Sequence, residues 1–463
     1  MLKQLFIKDI RILIKDLKFQ IFFITLLALF IVSAISSTVN YNALSEEYIQ
    51  ILQEHQTKFQ NPIELELQRM IQDRQSITVV AQPSPAVLFS VNDHFPNRMT
   101  NNVMFFQPIM HSGMATTEVF RINWYFILSI MMSFIMLILS FEAVSSEKRS
   151  GTLRLLSIYG FKRQTILWSK YLSYMLLYFI IIIPSALISM VLFFALTSTW
   201  DETFMMKFIA IILLSIPFAS FFVLQGIFIS TLKNYRNAII IVVMVWLLVV
   251  IIIPQSANIF GEKISPIKTN TEYTKMQTDA WQSEWDSWVE KHGAKVDTSM
   301  EILEGFRSSA VYAADEKSNQ IRQQRLIDEN RQWQTIRNIA KISPFTQFEE
   351  IANIIMDNGS YLYDAMLQTM RNSLSQIRNL IITQDSKDPT SLHFFHSWAG
   401  NQGIVEFTTQ KFEHPELLLV TNIPTDDSTA KTVKILIKLL PILALNLLLI
   451  IGAVMRLERL DIR

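Results

Sequence analysis

The sequence predicts a mainly α fold: a six-helix transmembrane bundle with a large, helix-rich extracytoplasmic domain built from two insertions. Three observations predict it. Half of the 463 residues are hydrophobic while 17% are charged, too apolar for an ordinary soluble protein and too charged for one lying wholly in lipid. Six stretches approach the ~20 apolar residues that cross a ~30 Å hydrocarbon core. They run over 19–38, 124–141, 171–196, 207–230, 237–254 and 435–453. Two long polar segments, 39–123 and 255–432, interrupt them.

The elements follow in chain order. Residues 1–18 read as a helix lying in the membrane interface. At about 100° per residue, Phe6, Ile10, Leu13, Ile14 and Leu17 share one side, and Lys8, Arg11, Lys15 and Lys18 gather opposite. An apolar face in lipid and a basic face among anionic headgroups suit that position. No small-residue cleavage site follows the run 19–38, so it reads as a retained span and not as a removed signal peptide. Basic residues then orient the bundle. Residues 1–18 hold five, 142–170 hold six, 231–236 hold two and 454–463 hold three; the loop 197–206 holds none and carries Asp201 and Glu202. Both termini, the loop 142–170 and the tail 454–463 are therefore expected in the cytosol, and 39–123 and 255–432 outside.

The outer segments read as one domain. The first continues span one through Tyr41-Asn-Ala-Leu-Ser-Glu-Glu and later turns extended at Val79-Val-Ala-Gln-Pro. The second carries Trp281, Trp285 and Trp288 at helical spacing, then a polar helical pattern from about 298 to 341 that Pro344 stops. At 1.5 Å per residue that helix would reach ~60 Å, or fold back as a hairpin. The first segment is too short for a sizeable core alone, and the second offers Trp281, Trp285, Trp288, Trp333, Phe345 and Phe348 as surface for it to cover.

The most informative stretch runs from Glu147 to Lys170: Glu-Lys-Arg-Ser-Gly-Thr-Leu-Arg-Leu-Leu-Ser-Ile-Tyr-Gly-Phe-Lys-Arg and onward. Ser150 or Thr152 can cap a short helix and Gly151 permits a sharp reversal. Leu153, Leu155 and Leu156 form an apolar repeat, and Gly160 precedes the basic pair Lys162-Arg163. This stretch resembles the loop after the second span in type-2 ABC exporter permeases. Six spans, an amphipathic start and a small basic turn at 232–238 strengthen the likeness. The outer insertions resemble a bacterial subgroup with large extracytoplasmic domains after spans one and five.

The resemblance implies a permease subunit of the cytoplasmic (inner) membrane, exporting or extracting a substrate with energy from a separate ATPase. It implies ABC-type ATPase subunits and a second permease copy or paralogue as partners, alongside membrane lipids and an envelope protein on the outer domain. The ATPase contact would use Leu153, Leu155 and Leu156 as anchors, with Glu147, Arg149, Arg154, Lys162 and Arg163 as a polar rim and Glu142 pairing with this basic set. An alternative is an ATP-coupled scaffold or mechanotransmitter whose outer domain recruits envelope proteins.

Other chemistry is thin. No Gly-x-x-x-x-Gly-Lys-Ser/Thr loop occurs, since Gly160-Phe-Lys-Arg-Gln-Thr has the wrong spacing, so this chain is expected to be non-catalytic, with ATP and Mg on the partner ATPase. The chain has no cysteine, which excludes thiolate catalysis, and His393 and His396 sit three apart without a His-Glu-x-x-His motif. A net charge of +1 gives no field for nucleic acid. Within the spans, Gln225 and Asn446 either line a path or bond neighbouring helices.

Overall fold

The computed structural model describes residues 2–60, 75–89, 97–103, 109–111, 122–197, 201–232, 235–292, 300–387 and 411–459. Six helices are long and apolar enough to cross a membrane: Leu17–Lys58, Trp124–Arg149, Arg163–Thr197, Glu202–Ser230, Ala238–Ile264 and Ser428–Glu458, here called spans one to six. Each covers one of the apolar runs, the fifth falling one residue short at its start, and most continue past it. Span one runs about twenty residues beyond its apolar run, because Tyr41–Gln60 keeps good helix formers and meets no proline.

Burial shows which spans form the core. Spans two and four are the most enclosed, and spans five and six leave most of their surface open. Trp124 is fully buried, its ring 4.4 Å from Phe30 of span one and 4.8 Å from Phe208 of span four. Such aromatic contacts add about 0.5–1.5 kcal/mol each beyond area burial. Spans two and four approach most closely at Gly226, where an added Cβ would lie 2.0 Å from Ser140 Oγ and 3.0 Å from the Leu137 carbonyl. Small residues allow this backbone approach, as membrane helices require. Trp246 of span five donates to Ser133 Oγ of span two at 3.1 Å. Both helices are π-helical near this bond, over Ile127–Met132 and Leu248–Ile252.

The outer segments contribute a sheet as well as helices. Its order is β3-β2-β1-β4, with β1 at Ser76–Val80, β2 at Arg98–Asn102, β3 at Ile109–His111 and β4 at Leu419–Val420. β1 pairs antiparallel with β2 and parallel with β4, so one sheet joins the two segments across 340 residues of chain. Ile77, Val79 and Met99 pack on Met366, Met370, Ile377 and Ile381 of the helix Gly359–Ser386, giving a second core apart from the bundle.

The polar helix Met300–Ala340 folds back on Asn270–His292. Tyr273 donates to Asp328 at 3.0 Å and Trp281 to Asp315 at 3.1 Å, so the two helices run antiparallel. Burial first, and then the Asp328 carboxylate, push the Tyr273 phenol up to about 12.

One helix departs from the expected layout. Pro344–Met356, capped by Ser343, leaves the outer domain and packs into the top of the bundle. Phe348 is buried and stacks on Phe218 of span four at 4.5 Å. Ser343 Oγ donates to the Val249 carbonyl of span five at 2.6 Å, and Tyr125 of span two donates to Glu349 at 3.1 Å. Phe348 is thus covered chiefly by spans, with Phe89 of the first segment 6.3 Å away, and not by that segment alone. The amphipathic face Ile351-Ala352-Ile355 explains the choice, because lipid-facing spans offer an apolar groove where the outer domain offers water.

Candidate functional site at the loop between spans two and three

Three short turns of chain build the loop. Ser145–Arg149 forms a first helical turn, Thr152–Ile158 a second helix, and span three begins at Arg163. The expected side-chain cap is absent: Gly151 itself occupies the N-cap with φ 72°, while Ser150 Oγ donates to the Glu147 carbonyl and lies 2.7 Å from Thr152 Oγ1. A left-handed residue at that position leaves the Ser150 side chain turned back along the chain, so it secures the preceding turn. The far end closes with a Schellman pair. Gly160 takes φ 78°, its N–H bonds the Ser157 carbonyl, and the Phe161 N–H bonds the Leu156 carbonyl, both at 3.1 Å. Two glycines thereby set the entry and exit angles of a seven-residue helix.

The helix divides its apolar residues between two directions. Leu153 and Leu156 are buried in the bundle core, whereas Leu155, Ile158 and Tyr159 are 54%, 71% and 74% exposed. Leu153 and Leu156 therefore fix the loop to its own chain. Only Leu155 of the three expected anchors faces outward, and it is joined by Ile158 and Tyr159, which the Leu repeat did not single out. Lys148, Arg149, Arg154 and Lys162 are exposed around this patch. Its surface is apolar at the centre and basic at the rim.

The acidic residues expected on that rim point elsewhere. Glu147 is buried, and its Oε1 accepts from Lys170 Nζ at 2.7 Å and from Lys8 Nζ at 3.3 Å. Lys170 also meets Asp9 Oδ1 at 2.8 Å, and Asp9 Oδ2 accepts from Ser169 at 2.8 Å. The cluster joins the N-terminal helix Leu2–Lys15, the loop and span three. Glu142 pairs with Lys18 at 3.2 Å. The lysines make the inward turn tolerable, since attraction between opposite charges strengthens away from water and offsets the cost of desolvating the carboxylate.

The N-terminal helix meets the bundle through a narrow face. Leu5 and Asp9 are its buried residues, and Leu13 packs beside them, while Ile14 and Leu17 of the expected lipid face are exposed. Asp9 and Lys170 went unread in the sequence. Their signal is a lone acid in a basic, apolar helix and a lone lysine at the mouth of an apolar span. Arg163, also expected on the rim, donates to the Leu457 carbonyl at 2.8 Å and to the Glu458 carbonyl. It satisfies the exposed carbonyls ending span six, where a cation also suits the helix dipole.

One of the two intramembrane candidates bonds a neighbouring helix. Asn446 of span six donates to the Pro217 carbonyl of span four at 2.9 Å. Gln225 is buried beside Gly226 at the contact of spans two and four. His393 and His396 lie outside the described residues, and among those described no three metal-ligating side chains converge.

A sequence-family model described as ABC-2 family transporter protein matches residues 4–280, more than half of the chain. This chain belongs to the ABC-2 transporter family. The matched stretch takes in the N-terminal helix, spans one to five and the whole loop at 142–163. As a family member with six spanning-length helices, the protein is a multi-pass membrane permease subunit of an ABC transporter. No curated protein and no solved structure matches it.

Proposed function

We propose that this permease subunit couples ATP hydrolysis on a separate ATPase chain to the export or extraction of a substrate, and that the loop 147–163 seats on that ATPase. The observation carrying the reading is the outward patch of Leu155, Ile158 and Tyr159 on a helix whose inner face is locked to the bundle. A patch held this way moves only with its bundle, so a push on it reaches span three through Lys170 and span six through Arg163. Leu155, Ile158 and Tyr159 anchor the contact, with Arg149, Arg154 and Lys162 as its rim; an apolar cleft edged by acidic groups complements them. ATP and Mg then reside on the partner, and a second permease copy or a paralogue completes the pathway.

In this reading both termini and the loop are cytosolic, the membrane is the cytoplasmic (inner) one, and the sheet-bearing domain is extracytoplasmic. The antiparallel hairpin Asn270–His292 and Met300–Ala340 favours a second role as mechanotransmitter to envelope proteins, because a stiff hairpin bonded at Tyr273 and Trp281 can transmit displacement.

The test is co-purification with the cognate ATPase. Leu155→Asp with Ile158→Asp removes the patch without touching the buried leucines, so the permease still folds and association falls. Full association of a folded double variant would refute the seat. Cysteines replacing Glu290 and Ile158 in this cysteine-free chain test the orientation. An impermeant maleimide applied outside should label position 290 and spare 158, and the reverse pattern would overturn the topology.

A further inference from the structure

A cleft of about 350 Å³ opens where two parallel strands part. β1 and β4 run side by side; beyond Val80 the chain turns toward the 3₁₀ turn Pro85–Phe89, and beyond Val420 it leaves for span six. Crevices beyond the carboxyl ends of adjacent parallel strands recur as ligand sites in α/β sheets, because diverging backbones leave a space between them. The cleft lies at the end of the bundle where span three finishes and span four begins, remote from the loop at 147–163.

Its depth follows from the sequence. Leu44 lies six residues past the end of the apolar run 19–38, which is ~9 Å along a helix. Lys207 is the first residue of the apolar run 207–230. A site lined by both sits at the level of lipid headgroups.

Its chemistry is specific. Asp357 receives Lys207 at 2.9 Å and Lys431 at 2.7 Å, and of these two ammonium groups Lys207 lines the cleft. Asn97 and Asn358 line the cleft, and the amide oxygen of each is buried with no hydrogen bond to it. The Asn358 amide N–H donates to the Phe89 carbonyl, which fixes its oxygen as the group left over. Buried acceptors without donors are rare and call for a partner. Asp357 holds φ 52°, the left-handed conformation that ends the helix Pro344–Met356 and sets its carboxylate at the cleft. Leu44 and Val87 add apolar surface on the membrane side.

We propose that this cleft binds the headgroup of an anionic phospholipid that carries hydroxyl donors beyond its phosphate. The phosphate meets Lys207, the hydroxyls reach the Asn97 and Asn358 oxygens, and the first methylenes lie on Leu44 and Val87. A choline headgroup offers no donor and no net charge, and phosphatidic acid offers charge without the hydroxyls. The site goes beyond the ATPase coupling and does not depend on it.

Lipid binding to the purified full-length protein in detergent tests it, read by native mass spectrometry and thermal melting. Phosphatidylglycerol should bind on the order of tenfold more tightly than phosphatidylcholine or phosphatidic acid. Asn97→Leu removes an unpartnered acceptor, so it should leave the lipid-free melting midpoint unchanged or raised, while phosphatidylglycerol falls to the level of phosphatidic acid. Lys207→Gln should abolish the preference for anionic lipids. Equal binding of the three lipids, or an unchanged preference in folded Asn97→Leu, would overturn the proposal. So would glycerol phosphate binding as tightly as the lipid, which would assign the cleft to a soluble phosphate ester. None of these readouts involves the ATPase, so loss of the coupling reading would leave them standing.

Discussion

At one end of the bundle a single lysine sits between two carboxylates; at the other a single carboxylate sits between two lysines. Lys170 with Asp9 and Glu147 forms the first trio, and Asp357 with Lys207 and Lys431 the second. Their burial differs. The side chains of the first are 3–11% exposed and those of the second 18–29%. An ion pair cut off from water is costly to break because the surviving charge has no solvent, whereas a wetter one is partly replaced by water. The loop trio therefore acts as a fixed joint between the N-terminal helix, the loop and span three. The trio at the opposite end is a looser contact, open to rearrangement when something binds beside it.

Breaking the fixed joint should have the largest effect. Lys170→Met leaves buried Asp9 without a cation and Glu147 with Lys8 alone, and should cost about 3–5 kcal/mol. Thermal unfolding in detergent measures it, and Lys170→Met with Asp9→Asn and Glu147→Gln should recover part of the loss. A single variant as stable as the parent would erase the contrast. Next comes an uncharged control, Gly226→Ala, which must part spans two and four against Ser140 and Leu137 and should cost about 1–3 kcal/mol at any salt concentration.

Asp357→Asn should cost roughly 1 kcal/mol or less in dilute buffer. The difference from the parent should shrink at molar salt, where the screening length falls to about 3 Å. If salt left the Asp357 effect intact and weakened the Lys170 effect, the assignment of fixed and loose ends would be reversed. The smallest effect is expected at Asp426, which the Lys434 and Tyr361 hydrogen bonds hold below the usual carboxylate range. A lowered folded value makes its contribution present above the ordinary Asp range and lost as pH falls through the lowered value. Melting curves of the parent and Asp426→Asn should therefore converge on acidification and separate near neutral pH.

The same contrast explains what the sequence revealed. Six apolar runs were legible because lipid imposes a length and a composition on anything that crosses it. The position of the loop was legible from its glycines and charges. The facing of its residues was not: Leu155 and Leu156 are neighbours of one chemical type, and only the packed bundle decides that Leu156 goes in and Leu155 out. Glu147 looked like a surface acid until Lys170, 23 residues away, and Lys8, 139 residues away, supplied its partners. The sheet was hidden for a similar reason. β4 has two residues and pairs with a strand 341 positions earlier, a contact no local pattern carries. The helix at Pro344–Met356 has a readable cap and an amphipathic face, but that face does not say whether it meets spans or the outer domain.

The central claim is that the loop's exposed face, and not its buried leucines, receives the ATPase. Maleimide footprinting tests it most directly in this cysteine-free chain. Single cysteines at Leu155, Ile158 and Tyr159 are compared with one at Lys387, exposed on the outer domain. In permeabilised membranes, adding the cognate ATPase should slow labelling at 155, 158 and 159 and leave 387 unchanged. Labelling of the three loop positions at the ATPase-free rate, with the ATPase shown to be bound, would contradict the account.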